Sequence, residues 1–150
     1  MTVFADTSAL AKLYADEEHS DVVRAIAAVD ELVISALSRV ELASAIWGKH
    51  RDGLISAADA ERLARAGEVH IIGSAVDEPS FGVVDLRLPL LGVAADLVAR
   101  HGLRTGDSIQ LASAVAARTA DPGCDAVLCF DRRLRDAAAR EGFTLLPAEL

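Results

Sequence analysis

Four acidic residues occupy positions at which a carboxylate can do chemistry. Asp6 directly follows the short apolar run 3–5, and Asp131 follows a second such run that ends at residue 130. Asp107 lies near the start of a predicted helix, and Glu41 lies within a largely apolar one. Residues that end strands or begin helices gather at one edge of a parallel sheet, which is the edge where such folds bind ligands. We therefore expect the four carboxylates to lie close together.

Four carboxylates in one pocket repel one another unless they are protonated or bind cations. Carboxylate oxygens are hard ligands that suit Mg²⁺ or Mn²⁺. One such ion can activate water, and two ions roughly 4 Å apart can clamp both oxygens of an in-line phosphodiester displacement. The residue types therefore predict a metal site suited to phosphodiester hydrolysis.

Each acid also has a purely structural interpretation. Asp6 and Asp131 are well placed to cap the helices that follow them. Asp107 can complement the dipole at the start of its helix. The gathering of all three at one edge of the sheet favours the metal site over these separate explanations.

Two further points bear on the choice of acids. Ser38 and Glu41 have the spacing of a capping box. Ser35 comes directly after the predicted strand and is the better-placed cap, so we favour a Glu41 carboxylate that takes no part in capping. Asp125 is a rival for the fourth acid, but it begins its strand, which predicts a position at the opposite edge of the sheet.

Short apolar segments alternate with helical ones along the whole chain, as in a parallel sheet covered on both faces. We expect one α/β domain over residues 1–150. Ser20 is a plausible cap for the second helix, and residues 69–72 could be a strand instead of part of a helix. The predicted strands are residues 3–5, 32–34, 83–86, 126–130 and 143–146, and the predicted helices are residues 8–15, 20–29, 36–49, 56–75, 90–101, 107–118 and 132–141.

Composition sets broad limits on function. The chain is 52% hydrophobic and 25% charged, as in a globular protein, and its net charge of −8 is unusual for a nucleic-acid binder. Metal ions can nevertheless let an acidic pocket act on a polyanion. No apolar run approaches the ~20 residues of a membrane span, and no basic region precedes the first apolar stretch. We expect a cytoplasmic protein that does not contact a membrane.

Taken together, these segments resemble the PIN-domain ribonucleases, and most closely the VapC toxins of toxin–antitoxin pairs. The resemblance covers the whole chain and is carried by the segments Asp6–Leu10, Arg39–Leu42, Arg104–Ala112 and Phe130–Leu134. It departs from the family at Cys129, where Thr or Ser is frequent, and at Gln110, where His is frequent. Neither position is a metal ligand in the family pattern.

The resemblance implies a three-layer α/β/α, PIN-like fold whose five parallel strands are ordered 3-2-1-4-5. It implies an endoribonuclease in which Mg²⁺ or Mn²⁺ is held by Asp6, Glu41, Asp107 and Asp131. It also places the hydroxyl of Ser8 near the metal or the scissile phosphate. The implied partners are an RNA substrate, a cognate antitoxin that blocks the site, and a second copy of the chain in a homodimer.

Other interpretations are weaker. A haloacid dehalogenase-type phosphotransferase would have a second Asp at position 8, where this chain has Ser. A response-regulator receiver would have a Lys after a late strand, yet the only lysines are Lys12 and Lys49. The alternative from a different class is a catalytically inactive PIN-fold interaction module, against which the presence of all four acids argues.

Two sets of residues outside the pocket are candidates for binding partners. Basic side chains at the start of the last helix could contact RNA phosphates; they are Arg132, Arg133 and Arg135. Apolar side chains of the early helices could line one groove for an amphipathic antitoxin helix; they are Leu10, Leu13, Tyr14 and Trp47.

Overall fold

A five-stranded parallel sheet forms the centre of the molecule. The computed structural model describes all 150 residues, Met1–Leu150. The strands are β1 (Thr2–Ala5), β2 (Glu31–Ser35), β3 (Gly82–Val84), β4 (Ala126–Leu128) and β5 (Thr144–Leu146). They are hydrogen-bonded in the order β3-β2-β1-β4-β5, and every neighbouring pair is parallel. The predicted α/β class and strand order 3-2-1-4-5 are thus confirmed.

Seven helices connect the strands and cover the sheet. They are α1 (Thr7–Leu10), α2 (Ser20–Ala27), α3 (Ser38–Arg51), α4 (Ala57–Ile72), α5 (Leu88–His101), α6 (Thr105–Ala120) and α7 (Arg132–Arg140). A short 3-10 turn at Ala11–Leu13 continues α1. None of these helices combines the length and the apolar character that crossing a membrane requires.

The central strand β1 shows why the fold has three layers. Its side chains alternate between the two faces of the sheet, as a strand requires. Val3 and Ala5 pack in the apolar cluster that includes residues of α1–α4, whereas Phe4 packs in the cluster on the other face with residues of α5–α7. All three are buried, so β1 is covered on both sides and reads as a continuous apolar run.

The helix predicted at residues 56–75 is confirmed as α4, which continues without a break to Ile72, so the alternative of a strand at 69–72 is excluded. Three other local predictions need correction. Ser35 is the last residue of β2 and does not cap α3, whose N-cap is Leu37. Ser20 is not a cap: His19, in the left-handed conformation (φ 66°), is the N-cap of α2. The Ser20 hydroxyl instead accepts a bond from the Glu17 N–H and donates one to the Ala15 carbonyl, which fixes the preceding loop. The first helix is also shorter than predicted and ends as a 3-10 turn.

Candidate active site

The four predicted acids line one pocket of about 370 Å³. Asp6 is the N-cap of α1 directly after β1, and Asp131 is the N-cap of α7 beyond β4. Asp107 and Glu41 lie in the first turns of α6 and α3. Helices α1, α3 and α7 begin after the carboxyl ends of β1, β2 and β4, and α6, which follows α5, begins at the same pocket. Asp125 directly precedes β4, at the opposite edge, and does not line this pocket.

Asp6 combines a helix cap with a buried charge. Asp6 is only 5% exposed to solvent. Its Oδ1 accepts a hydrogen bond from the Ser8 hydroxyl at 2.7 Å and from the Ala9 N–H at 3.1 Å. These bonds favour the ionised form, yet desolvation outweighs them and raises the pKa of Asp6 to about 6. A negative charge at this position is therefore less stable than in water, and a nearby cation would stabilise it.

The other side of the pocket is crowded with negative charge. Burial raises the pKa of Asp107, and the neighbouring carboxylates of Asp131 and Glu41 raise it further. Arg104 offsets part of this effect, although its Nε lies 3.9 Å from Asp107 Oδ2 and its side chain is exposed. The repulsion that the sequence predicted is therefore present between these acids.

Glu41 is held by side chains and takes no part in a capping box. Its Oε2 accepts bonds from the Thr7 hydroxyl at 2.6 Å and from Gln110 Nε2 at 2.7 Å. The second hydrogen of the Gln110 amide faces the hydroxyl oxygens of Thr7 and Ser38, which lie 2.9 and 3.1 Å from Nε2. The backbone of Gly106 lies so close that a Cβ there would be 2.9 Å from Glu41 Oε1. This network fixes one oxygen of the Glu41 carboxylate.

Ser8 and Asp131 connect the ends of the two central strands. The Ser8 hydroxyl donates to Asp6 and accepts the Phe130 N–H at 3.0 Å. Asp131 Oδ1 accepts the Leu134 N–H at 3.0 Å, as an N-cap. The Cys129 thiol, which stands where a hydroxyl is frequent in the family, donates weakly to the Asp131 carbonyl at 3.6 Å. Ser8 thus orients Asp6 in this structure.

The donors that line the pocket fit a hard cation in their chemistry. Asp6, Glu41 and Asp131 each make their hydrogen bonds through a single carboxylate oxygen, which leaves the second oxygen for another ligand. No three acidic, His or Cys side chains, however, already converge on one point where an ion could be held. Binding one therefore requires these carboxylates to move inward. The oxygen donor set fits Mg²⁺ or Mn²⁺.

Thr7 and Gln110 line the pocket and hold Glu41, a contact that the sequence interpretation did not predict. Gln110 is 2% exposed, and its Oε1 is buried without a hydrogen-bond partner. A polar side chain among the apolar residues Ile109, Leu111 and Ala112 was the available signal. Thr7 gave no signal beyond its position next to Asp6.

The prediction that Arg135 contacts RNA is wrong. Arg135 is buried, and its guanidinium donates to the carbonyls of Cys129, Leu146 and Pro147. It therefore ties α7 to the end of β5. Arg132 and Arg133 are exposed at the start of α7, as that prediction requires of them.

The prediction of one apolar groove is also wrong, because its four residues do not line a common surface. Leu10 is fully buried in the core. Leu13 and Tyr14 line a pocket against α4, where the Tyr14 hydroxyl bonds to His70 Nδ1 at 2.8 Å. Trp47 lines a separate groove between α3 and α4. The early helices therefore present two apolar depressions, one on either side of α4.

Solved structures share this fold at low sequence identity. VapC20 from Mycobacterium tuberculosis, a sarcin-ricin loop cleaving toxin, is 19% identical with a TM-score of 0.66 over 94% of this chain and 95% of its own. A toxin–antitoxin complex from Klebsiella pneumoniae gives 16% and 0.55 over 86% of each chain. VapBC2 from Rickettsia felis, bound to a DNA fragment from its promoter, gives 10% and 0.58 over 91% of this chain and 93% of its own.

Sequence comparison identifies the family. A search of the curated proteins found no match. Residues 3–140, nearly the whole chain, match the PIN domain. The matched region contains all nine residues that line the pocket, including the four acids. The chain belongs to the PIN-domain family.

Proposed function

We propose that this chain is a metal-dependent endoribonuclease that hydrolyses RNA phosphodiester bonds and acts as the toxin of a toxin–antitoxin pair. The observation that carries the proposal is the pocket itself. Four carboxylates from four separate segments meet at the carboxyl edge of the sheet. Burial raises the pKa of Asp6, and burial together with the neighbouring carboxylates raises the pKa of Asp107. Capping explains the positions of Asp6 and Asp131, but it does not explain Glu41, which caps no helix and is held in the pocket by Thr7 and Gln110.

In this proposal Asp6, Glu41, Asp107 and Asp131 hold Mg²⁺ or Mn²⁺. The bound ion supplies activation of water and neutralisation of phosphate charge. The chain's own contribution is orientation. Thr7 and Gln110 fix one oxygen of Glu41, and Ser8 fixes one oxygen of Asp6. We assign Ser8 to a place beside the scissile phosphate, within a single nuclease domain of residues 1–150.

The proposal is tested by cleavage of a structured RNA pool with Mg²⁺ or Mn²⁺. Asp6→Asn, Asp107→Asn, Asp131→Asn and Glu41→Gln should each lower the rate by orders of magnitude, because they weaken a metal ligand while keeping the shape of the side chain. Asp125→Asn is the matched control at the opposite edge of the sheet and should cleave like the wild type. Wild-type cleavage by Asp6→Asn or Asp107→Asn would contradict the site, and absence of cleavage by the wild-type protein would favour an inactive interaction module.

The toxin role and its partners rest on the likeness to solved toxins and a toxin–antitoxin complex. An antitoxin that covers the acidic pocket with a basic side chain would block it by a charge-assisted contact. Exposed apolar side chains on α5, such as Leu88 and Leu91, support a homodimer. Induced expression should arrest growth, and Asp6→Asn should abolish the arrest without changing the amount of folded protein.

A further inference from the structure

A second pocket opens beside the carboxylate pocket. It has a volume of about 550 Å³, and Thr7, Ser8 and Asp131 line both pockets. The two lysines of the chain, Lys12 and Lys49, both line the second one. The protein has a net charge of −8, yet the ammonium groups of both its lysines lie at this one pocket.

One carboxylate lies between the two lysines. Glu17 Oε2 is 3.3 Å from Lys12 Nζ, and Glu17 Oε1 contacts Lys49 Nζ. The bond from Lys49, followed by the attraction of both ammonium groups, holds the pKa of Glu17 below its usual range. Two cations therefore share one anion, and the group keeps one net positive charge.

The lysines are positioned and partly shielded from water. The side chains of Lys12 and Lys49 are 11% and 26% exposed. Lys12 Nζ lies 4.9 Å from the centre of the Phe130 ring, and His19 stacks on the same ring with the ring centres 5.4 Å apart. A cation held over an aromatic ring is stabilised by the ring's quadrupole. Phe130 thus holds the ammonium group of Lys12, and Phe130 directly precedes Asp131 in the chain.

A purely structural ion-pair network would explain only part of this arrangement. One lysine suffices to neutralise Glu17, and ion pairs at partly exposed positions add little stability. Asp52 and Asp131 also line this pocket, but neither forms an ion pair with a lysine, so the second ammonium can face an anion on the wall of a pocket that adjoins the acidic one. A polyanion that enters the acidic pocket needs such a cation to offset the repulsion by its carboxylates.

We propose that this lysine pocket binds the RNA phosphate next to the scissile one, and that Glu17 is the internal anion that holds Lys12 and Lys49 in place for it. The inference rests on the proposed function, because it places the scissile phosphate among the four acids. The contacts with Lys12 and His19 favour a role for Phe130 in holding the ammonium over a role in stacking a base.

Glu17→Gln and Lys49→Gln test the proposal because they break the same ion pair. Any structural damage is shared, but the charge at the pocket changes in opposite directions. The measurement is the affinity for a fluorescent 12-nucleotide single-stranded RNA of mixed sequence, in EDTA, over a range of salt concentrations. Lys49→Gln should bind about fivefold more weakly, with a salt slope reduced by about 0.7. Glu17→Gln should bind as tightly as the wild type or more tightly.

The exposed ion pair between Glu61 and Arg65 on α4 supplies the matched control. Glu61→Gln and Arg65→Gln change the net charge equally but lie away from the pocket, so each should bind RNA like the wild type. Thermal melts should verify that all variants are folded. If Lys49→Gln binds as tightly as the wild type, or if both Glu17→Gln and Lys49→Gln bind more weakly, the proposal is overturned. Because EDTA prevents metal-dependent cleavage, this result is independent of the cleavage test of the four acids.

Discussion

At the scale of single residues, Asp6 shows how one side chain serves both the fold and the candidate site. Its Oδ1 caps α1 through the Ala9 N–H, while its burial opposes ionisation. Because the pKa of Asp6 is raised to about 6 from 3.8, the folded protein binds this proton more tightly than the unfolded chain does. The stability associated with the protonated form is present below about pH 4 and is lost as the pH rises through 6.

We therefore expect Asp6→Asn to stabilise the metal-free protein at pH 8. Asn still accepts the capping bond but carries no charge, so the free energy of unfolding should rise by about 1–2 kcal/mol. The gain should shrink as the pH falls from 7 towards 4. Urea denaturation in EDTA at several pH values measures it, with Asp125→Asn as the control. An equal effect at pH 4 and pH 8 would refute the electrostatic explanation.

Thr7 orients Glu41 through the hydrogen bond that its hydroxyl donates. Thr7→Val keeps the shape of the side chain but removes the hydroxyl that donates to Glu41 Oε2 at 2.6 Å. Loss of a partner that orients a metal ligand typically lowers metal affinity about 10–100-fold. Calorimetric titration with Mn²⁺ should show this loss, and Thr7→Ser should restore most of the affinity. Unchanged Mn²⁺ affinity in Thr7→Val would mean that the network is only structural.

At the scale of secondary-structure elements, the features of the site that could be predicted are patterns of neighbouring residues. The features that could not be predicted are contacts between residues far apart in the chain. Asp6 could be placed because a short apolar strand followed by an acid is a local pattern. The bond between Gln110 and Thr7 joins residues 103 positions apart and depends on which face of α6 meets α1. No local pattern contains that information. The burial of Arg135 was not predicted because its acceptors are the backbone carbonyls of Cys129, Leu146 and Pro147, and backbone acceptors have no signature in the sequence.

Arg135 provides a prediction about how α7 is held against β5. Arg135→Met should preserve helix propensity but remove the donor to the Cys129 carbonyl, whereas the Leu146 carbonyl keeps its bond from the Cys129 N–H. A buried polar group without a partner costs about 1–3 kcal/mol, so we expect a loss of that size or slightly more. Arg132→Met, at an exposed position of the same helix, should change stability by less than about 0.5 kcal/mol. Similar urea midpoints for the two variants would contradict the structural role of Arg135.

At the scale of the whole molecule, the distribution of charge matters more than its total. The sequence predicted that a net charge of −8 would repel a polyanionic substrate, but it could not show where the basic groups lie. In the fold, Lys12 and Lys49 adjoin one side of the acidic pocket, and Arg104 and Arg133 act electrostatically on Asp107. The acids are thus framed by cations that come from four distant parts of the chain.

The same charge balance predicts that metal ions stabilise the whole fold. An ion that binds only the folded state raises the free energy of unfolding by about 2.7 kcal/mol when its concentration is 100 times its dissociation constant. Millimolar Mn²⁺ should therefore raise the melting temperature of the wild type and of Asp125→Asn by several degrees. Asp6→Asn/Asp107→Asn should melt at a higher temperature than the wild type in EDTA, yet gain little from Mn²⁺, because both the repulsion and the ligands are reduced. An equal Mn²⁺ shift in this double variant would show that the ion binds elsewhere on the acidic surface.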